Sequence, residues 1–174
     1  KKIRLKNFDE ISRLFEDKML DGEIYLESRE IGPAEIVYKP KKKFKIPITR
    51  TSSMISELAP IDVLVKYAAI KEGDVVIIEE PESHLHPDRQ ALMARIIARL
   101  NNVLNLYILI TTHSDILLSR LSDLILASEL DQESLRNFNI KPIDTIKKEN
   151  ISVYFYKKDL ISSSTSYWDY MRSR

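Results

Sequence analysis

Four successive β-branched apolar residues, Val75-Val76-Ile77-Ile78, run directly into Glu79-Glu80-Pro81-Glu82. A strand with one wet face alternates apolar and polar residues, whereas an unbroken apolar run is expected on a strand covered on both faces of a parallel sheet. Pro87 then opens a helical pattern with Met93, Ile96, Ile97, Leu100 and Leu104 on one face. Residues 107–110 form a second buried-strand run, and Ser114 can cap a short helix through Leu121. Residues 124–126 and 151–156 read as third and fourth strands. Strand, helix, strand, helix, strand predicts an α/β fold with a parallel sheet and right-handed crossovers.

The first half has a different rhythm. Residues 1–20 carry Ile3, Leu5, Phe8, Ile11, Leu14, Phe15 and Leu20 at mostly helical spacing. Residues 21–50 read as a β segment: Glu23-Ile24-Tyr25-Leu26 pairs with Glu35-Ile36-Val37-Tyr38 across Gly32-Pro33, and residues 44–48 follow. Lys41-Lys42-Lys43 reads as a solvated edge rather than a phosphate-backbone contact. Thr51-Ser52-Ser53 offers N-caps to a helix running to Ala69, where Pro60 should start a new helix or kink this one and Gly73 should cap the end. Ser162 to Ser166 reads as a loop. Residues 1–174 are expected to form a single unit, with residues 51–130 as its chemical centre and 131–174 as a closing strand and tail. The formal net charge of +1 gives no bulk signal for nucleic acid or membrane, and the lack of cysteine excludes disulfides and thiolate metal sites. With no apolar stretch long enough to span a bilayer, the expected location is the cytoplasm, with no membrane partner.

In open α/β sheets, reactive groups gather beyond the carboxyl ends of the strands. The first strand delivers Glu79 and Glu80, then Ser83-His84-Leu85-His86; the second delivers Thr111-Thr112-His113-Ser114-Asp115. Adjacent carboxylates are costly at a buried strand end unless a cation shares the site. Neighbouring strand residues point to opposite sides, so Glu79 and Glu80 should have different tasks: one holds the water shell of a magnesium ion, the other polarises an attacking water. His113 can donate a hydrogen bond to a phosphate oxygen whose charge grows during transfer. Glu82, His84 and His86 alternate in a way that also suits zinc in a metal-dependent hydrolase, although Pro87 places His86 at a helix start and no third histidine is nearby. A non-enzymatic dimerisation or binding module is the other alternative. Tyr167, Trp168 and Tyr170 read as core lining rather than a base-stacking surface.

The segment from Val75 to Glu82 resembles the Walker B motif of ABC ATPases. His84-Leu85-His86-Pro87 resembles the D-loop region of the subgroup related to the overcoming-lysogenization-defect (OLD) proteins and the AAA_15/AAA_21 ATPases, and Ile110-Thr111-Thr112-His113-Ser114 resembles their switch segment. Ser52-Ser53-Met54-Ile55-Ser56-Glu57-Leu58 sits where that subgroup has its signature motif. The resemblance covers residues 21–156 and implies a partial P-loop NTPase fold of the ABC type: a parallel sheet core with helices plus an N-terminal antiparallel β segment.

It further implies ATP and Mg2+ as cofactors. Glu80 would be the catalytic base, Glu79 the residue holding magnesium through water, and His113 the γ-phosphate sensor. Ser83, His84 and His86 would lie on the D-loop at a homodimer interface closed by ATP. Ser52 or Ser53 would contact the γ-phosphate held by the opposite subunit. Glu79 stands where most ABC ATPases have aspartate, and Met54 replaces the glycine that usually follows the signature serine. No G-x-x-x-x-G-K-[ST] loop occurs. The phosphate cradle is therefore expected from a missing N-terminal Walker A lobe, and this chain alone is expected to be inactive. Such heads serve DNA maintenance or anti-phage defence, which makes DNA a further expected partner.

Overall fold

A computed structural model of the protein describes residues 2–41, 44–157 and 160–164. Helix α1 (Lys2–Leu14) buries Phe8 and Ile11, then widens into a π-helical segment, Phe15–Leu20, that buries Phe15, Met19 and Leu20. Asp21, in the left-handed region at φ 52°, turns the chain into β1 (Gly22–Glu27), which pairs antiparallel with β2 (Glu35–Pro40) from Gly22↔Pro40 to Glu27↔Glu35. Gly22 permits a close approach: a Cβ there would stand 2.5 Å from the Tyr38 ring and 2.7 Å from the Lys39 carbonyl oxygen. β3 (Ile46–Pro47) pairs antiparallel with β2 and is shorter than the sequence suggests, because Ile48–Arg50 turns into a 3-10 helix. Lys42 and Lys43 lie outside the described residues.

Helix α2 (Ser53–Lys66) runs through Pro60 without a break, leaving the Ser56 carbonyl without its helical donor. The end of α2 corrects the sequence reading. The helix stops at Tyr67, Ala68 takes the left-handed conformation at φ 49°, and Gly73 (φ 84°) instead bends the turn that enters β4.

β4 (Val75–Glu79), α3 (Pro87–Leu104) and β5 (Tyr107–Thr111) form the expected parallel unit, in register from Val75↔Tyr107 to Glu79↔Thr111. All five α3 residues named from the sequence are buried. Two other expectations fail. Residues 124–126 belong to helix α4 (Asp115–Ala127): Leu117, Leu121, Leu124 and Ile125 are buried at helical spacing, and that period outweighs a three-residue apolar run. β6 (Val153–Lys157) pairs antiparallel with β7 (Leu160–Ser164) instead of joining β4 and β5, so Ser162 to Ser164 are strand rather than loop. Tyr167, Trp168 and Tyr170 lie outside the described residues.

The parallel pair is covered on one face only, not on both. Ile78 is buried, and Val76, Ile108 and Ile110 pack against the core. The alternate residues Val75 (66% exposed), Ile77 (65%), Tyr107 (68%) and Leu109 (55%) form an open apolar face. Burial of the other face is knitted by α1, α2, α3 and α4 around one apolar cluster. A short helix, α5 (Gln132–Asn137), follows α4. Within this core Arg99 of α3 donates from Nε to Asp144 at 2.5 Å and from a guanidinium nitrogen to Glu10 at 3.2 Å, binding α1 and the 142–144 turn to α3.

Candidate active site at the carboxyl edge of the parallel pair

β4 and β5 end side by side, with Glu79 opposite Thr111. The chain then leaves the sheet abruptly. Glu80 sits in the left-handed region at φ 44°, while its amide still donates to the Thr111 carbonyl at 2.9 Å. A left-handed glutamate carries about 1–3 kcal/mol of backbone strain, held here by the surrounding hydrogen bonds. Ser83 N–H donates to the Glu80 carbonyl and Leu85 N–H to the Glu82 carbonyl, winding residues 80–85 into tight turns before His86 and Pro87 start α3.

This geometry brings two of the sequence candidates together. Glu80 Oε1 lies 3.4 Å from His113 Nε2, across the end of the sheet. His113 precedes Ser114, whose hydroxyl caps α4 by accepting from Leu117 N–H at 3.1 Å. A carboxylate and an imidazole facing each other at a strand edge can orient a water on one side and donate to an oxyanion on the other.

A cleft of about 650 Å³ separates the end of β4 from α2, and its lining includes Met54, Glu57, Glu79, Glu80, Ser83 and His84. His84 Nε2 lies 3.0 Å from Glu57 Oε1 and Arg89 donates to Met54 Sδ at 2.8 Å, so the 83–89 segment contacts the start of α2 twice. Ser52 occupies the N-cap position of α2, its hydroxyl making no capping bond, and Ser53 is the first helical residue. Neither serine lines the cleft. His86 also lies outside it, with Nδ1 3.5 Å from Asp88 on the exposed start of α3.

The sequence offers Glu82 as the end of the Walker B-like segment and as a zinc candidate, and the structure gives it another task. It is buried, and its Oε1 accepts from Thr112 Oγ1, from His113 N–H at 3.0 Å and from Ser114 N–H at 3.2 Å. It is thus committed to the β5–α4 loop rather than to His84 and His86. Nothing in the sequence signals this, because the partners lie about thirty positions downstream.

The first 118 residues match a family model described as an AAA ATPase domain, AAA_15. The chain belongs to that family. No curated protein matches this AAA ATPase domain. Among solved structures it is similar to a chain from the structural biochemistry of ATP-driven dimerization and DNA-stimulated activation of SMC ATPases, with a TM-score of 0.56 and 16% identity. That match covers 97% of this chain and 91% of the other, and it shows a shared ATPase-head fold. A Smc head domain with an extended coiled coil, bound to the C-terminal domain of ScpA and derived from Pyrococcus furiosus, matches with 21% identity and a TM-score of 0.47 over 68% of this chain and 30% of its own length.

The fold class read from the sequence, an α/β head with an N-terminal antiparallel sheet, therefore holds. Among the described residues no group of three or more His, Asp or Glu is placed to hold a metal ion. Glu79 and Glu80 offer hard oxygen donors at one edge, which suits a cation that keeps most of its water, as magnesium does. No helix among the described residues is long and apolar enough to cross a membrane.

Behind the site, α2 carries a buried titratable group whose pKa is strongly shifted. Asp62 is fully buried, and burial pushes its carboxyl up to about 7, against the opposing hydrogen bond from Ser12 Oγ at 2.7 Å.

Proposed function

We propose that this AAA ATPase domain supplies the hydrolytic edge of an ATP-dependent dimerising head of the ABC type, related to the OLD-like subgroup. The observation that carries the reading is the 3.4 Å approach of Glu80 to His113 at the carboxyl end of the parallel pair. Glu80 orients the lytic water and accepts its proton, and the His113 imidazole donates to a γ-phosphate oxygen. Glu79 would hold a magnesium ion through one of its waters, and the ion would supply neutralisation of charge on the phosphate oxygens.

Ser83, His84 and His86 form the D-loop at the homodimer interface. Ser52 or Ser53 contacts the γ-phosphate of the ATP held by the second subunit. The absence of a G-x-x-x-x-G-K-[ST] motif from these residues means that the phosphate cradle comes from a separate lobe. The open apolar face of Val75, Ile77, Tyr107 and Leu109 is the surface such a lobe would cover, which supports this reading. Cytoplasmic DNA maintenance or anti-phage defence, with DNA as effector, is the setting we infer.

Glu80→Gln and Glu79→Gln in the complete protein test the assignment. Glu80→Gln keeps shape and hydrogen-bonding capacity but removes the base, so turnover should fall by about two to four orders of magnitude. ATP binding should survive and the ATP-bound dimer should accumulate. Wild-type turnover in Glu80→Gln, with loss in Glu79→Gln, would exchange the two roles.

A further inference from the structure

The hydrogen bonds around Glu82 form a continuous bracket between the two elements that carry the candidate chemistry. Glu82 lies two residues after Glu80, on the same turn, with only 7% of its surface exposed. Its Oε1 holds the backbone amides of His113 and Ser114 and the Thr112 hydroxyl. Thr112 Oγ1 in turn accepts from Ser114 N–H at 3.0 Å. From the other side, Gln90 of α3 donates to the Leu85 carbonyl at 3.1 Å and accepts from Ser114 Oγ at 2.6 Å. The 80–85 turn therefore grips the switch loop through its backbone with Glu82, and meets its imidazole with Glu80.

From this geometry we infer that Glu82, supported by Gln90, is a positioning residue that sets the distance between His113 and Glu80. The inference rests on the ATPase reading above. Glu82 touches neither water nor phosphate in this role; it acts by fixing where the His113 backbone sits. Three donors, two of them backbone amides, converge on one side-chain oxygen, so the position of that oxygen fixes the path of the 112–114 loop. The tether also joins the candidate dimer-facing turn to the switch loop, so a displacement of Ser83 and His84 on subunit contact moves His113 with it.

The test separates placement from charge in the complete ATPase. Glu82→Asp keeps the charge but withdraws the oxygen by one methylene. Glu82→Gln removes the charge but keeps an acceptor oxygen at the same reach. A displacement of about 1 Å can cost about a hundredfold in rate, so Glu82→Asp and Glu82→Ala should lower kcat by about ten- to a hundredfold while ATP affinity stays within about twofold. Glu82→Gln should recover most of the activity that Glu82→Ala loses.

In a His113→Ala background, Glu82→Ala should cause no further loss, since it acts through the residue already removed. Retained activity in Glu82→Asp with loss in Glu82→Gln, or multiplicative effects of Glu82→Ala and His113→Ala, would overturn the positioning role and leave the ATPase reading intact. Wild-type turnover in His113→Ala would overturn the ATPase reading itself, and this role with it. Should Glu82→Ala fail to fold, the Asp and Gln variants decide the matter, and amide exchange of His113 and Ser114 in Glu82→Asp provides a direct readout: the exchange should accelerate.

Discussion

Replacing Asp62 by asparagine should make the protein more stable above neutral pH and leave it nearly unchanged in acid. Asp62 Oδ1 accepts from Ser12 Oγ, while Oδ2 is buried with no hydrogen-bond partner among the described residues. Its charged neighbours are Glu16, which disfavours the carboxylate, and Lys66, which favours it; Lys66 is itself ion-paired with Glu16. Burial is the largest influence and raises the carboxyl from 3.8 to about 7.

A folded-state value above the unfolded one stabilises the protein fully below the unfolded value, and that stabilisation is lost as pH rises through the folded value. A rise of about three units corresponds to about 4 kcal/mol between the two limits. The side-chain amide introduced by Asp62→Asn cannot ionise, yet its oxygen still accepts from Ser12. The difference in unfolding free energy between variant and wild type should therefore be small near pH 4 and grow in favour of the variant toward pH 8, approaching about 4 kcal/mol. Urea titrations at half-unit pH steps measure it, and other groups cancel in the difference. A difference that stays flat from pH 4 to pH 8 would refute the reasoning.

Asp144→Ala leaves the buried Arg99 guanidinium with the partly exposed Glu10 as its carboxylate partner and should cost about 1–3 kcal/mol in chemical denaturation, with much of the loss recovered in Asp144→Ala/Arg99→Met. Gly22→Ala drives a methyl into the Tyr38 ring and the Lys39 carbonyl oxygen, and should cost about 1–3 kcal/mol by thermal unfolding. Titration calorimetry of residues 1–174 with Mg-ATP should find no micromolar affinity, because these residues include no phosphate loop. Mixing a full-length protein lacking the phosphate-loop lysine with one carrying Ser52→Arg/Ser53→Arg should partly restore turnover, and persistent inactivity with ATP-bound protein that stays monomeric in light scattering would count against a shared site.

The parallel unit was legible in the sequence because its signals are local: β-branched runs, Pro87 at a helix start, and α3 core residues at helical spacing. The same locality explains the misreadings. An all-apolar strand implies two covered faces, but a sequence pattern does not say which polypeptide provides the cover, and here Val75, Ile77, Tyr107 and Leu109 stand open. Residues 124–126 are apolar enough for a strand; only their alignment with Leu117 and Leu121 on one helical face decides otherwise.

In the site, motif spacing anticipated that Glu80 and His113 would meet. It gave no hint of Glu82, whose partners are distant in sequence, nor of the His84–Glu57 and Arg89–Met54 contacts that link the 83–89 segment to α2. The left-handed Glu80 was equally invisible, because no glycine marks the turn.

The claim that Glu80 and His113 form one hydrolytic centre is tested most directly by single-turnover ATP hydrolysis in wild type, Glu80→Gln, His113→Ala and the double variant of the complete protein. Residues that act as a unit are strongly non-additive. The double variant should therefore be no slower than the slower single variant, within about threefold. Losses that multiply across the two substitutions, or wild-type rates in either single variant, would contradict it.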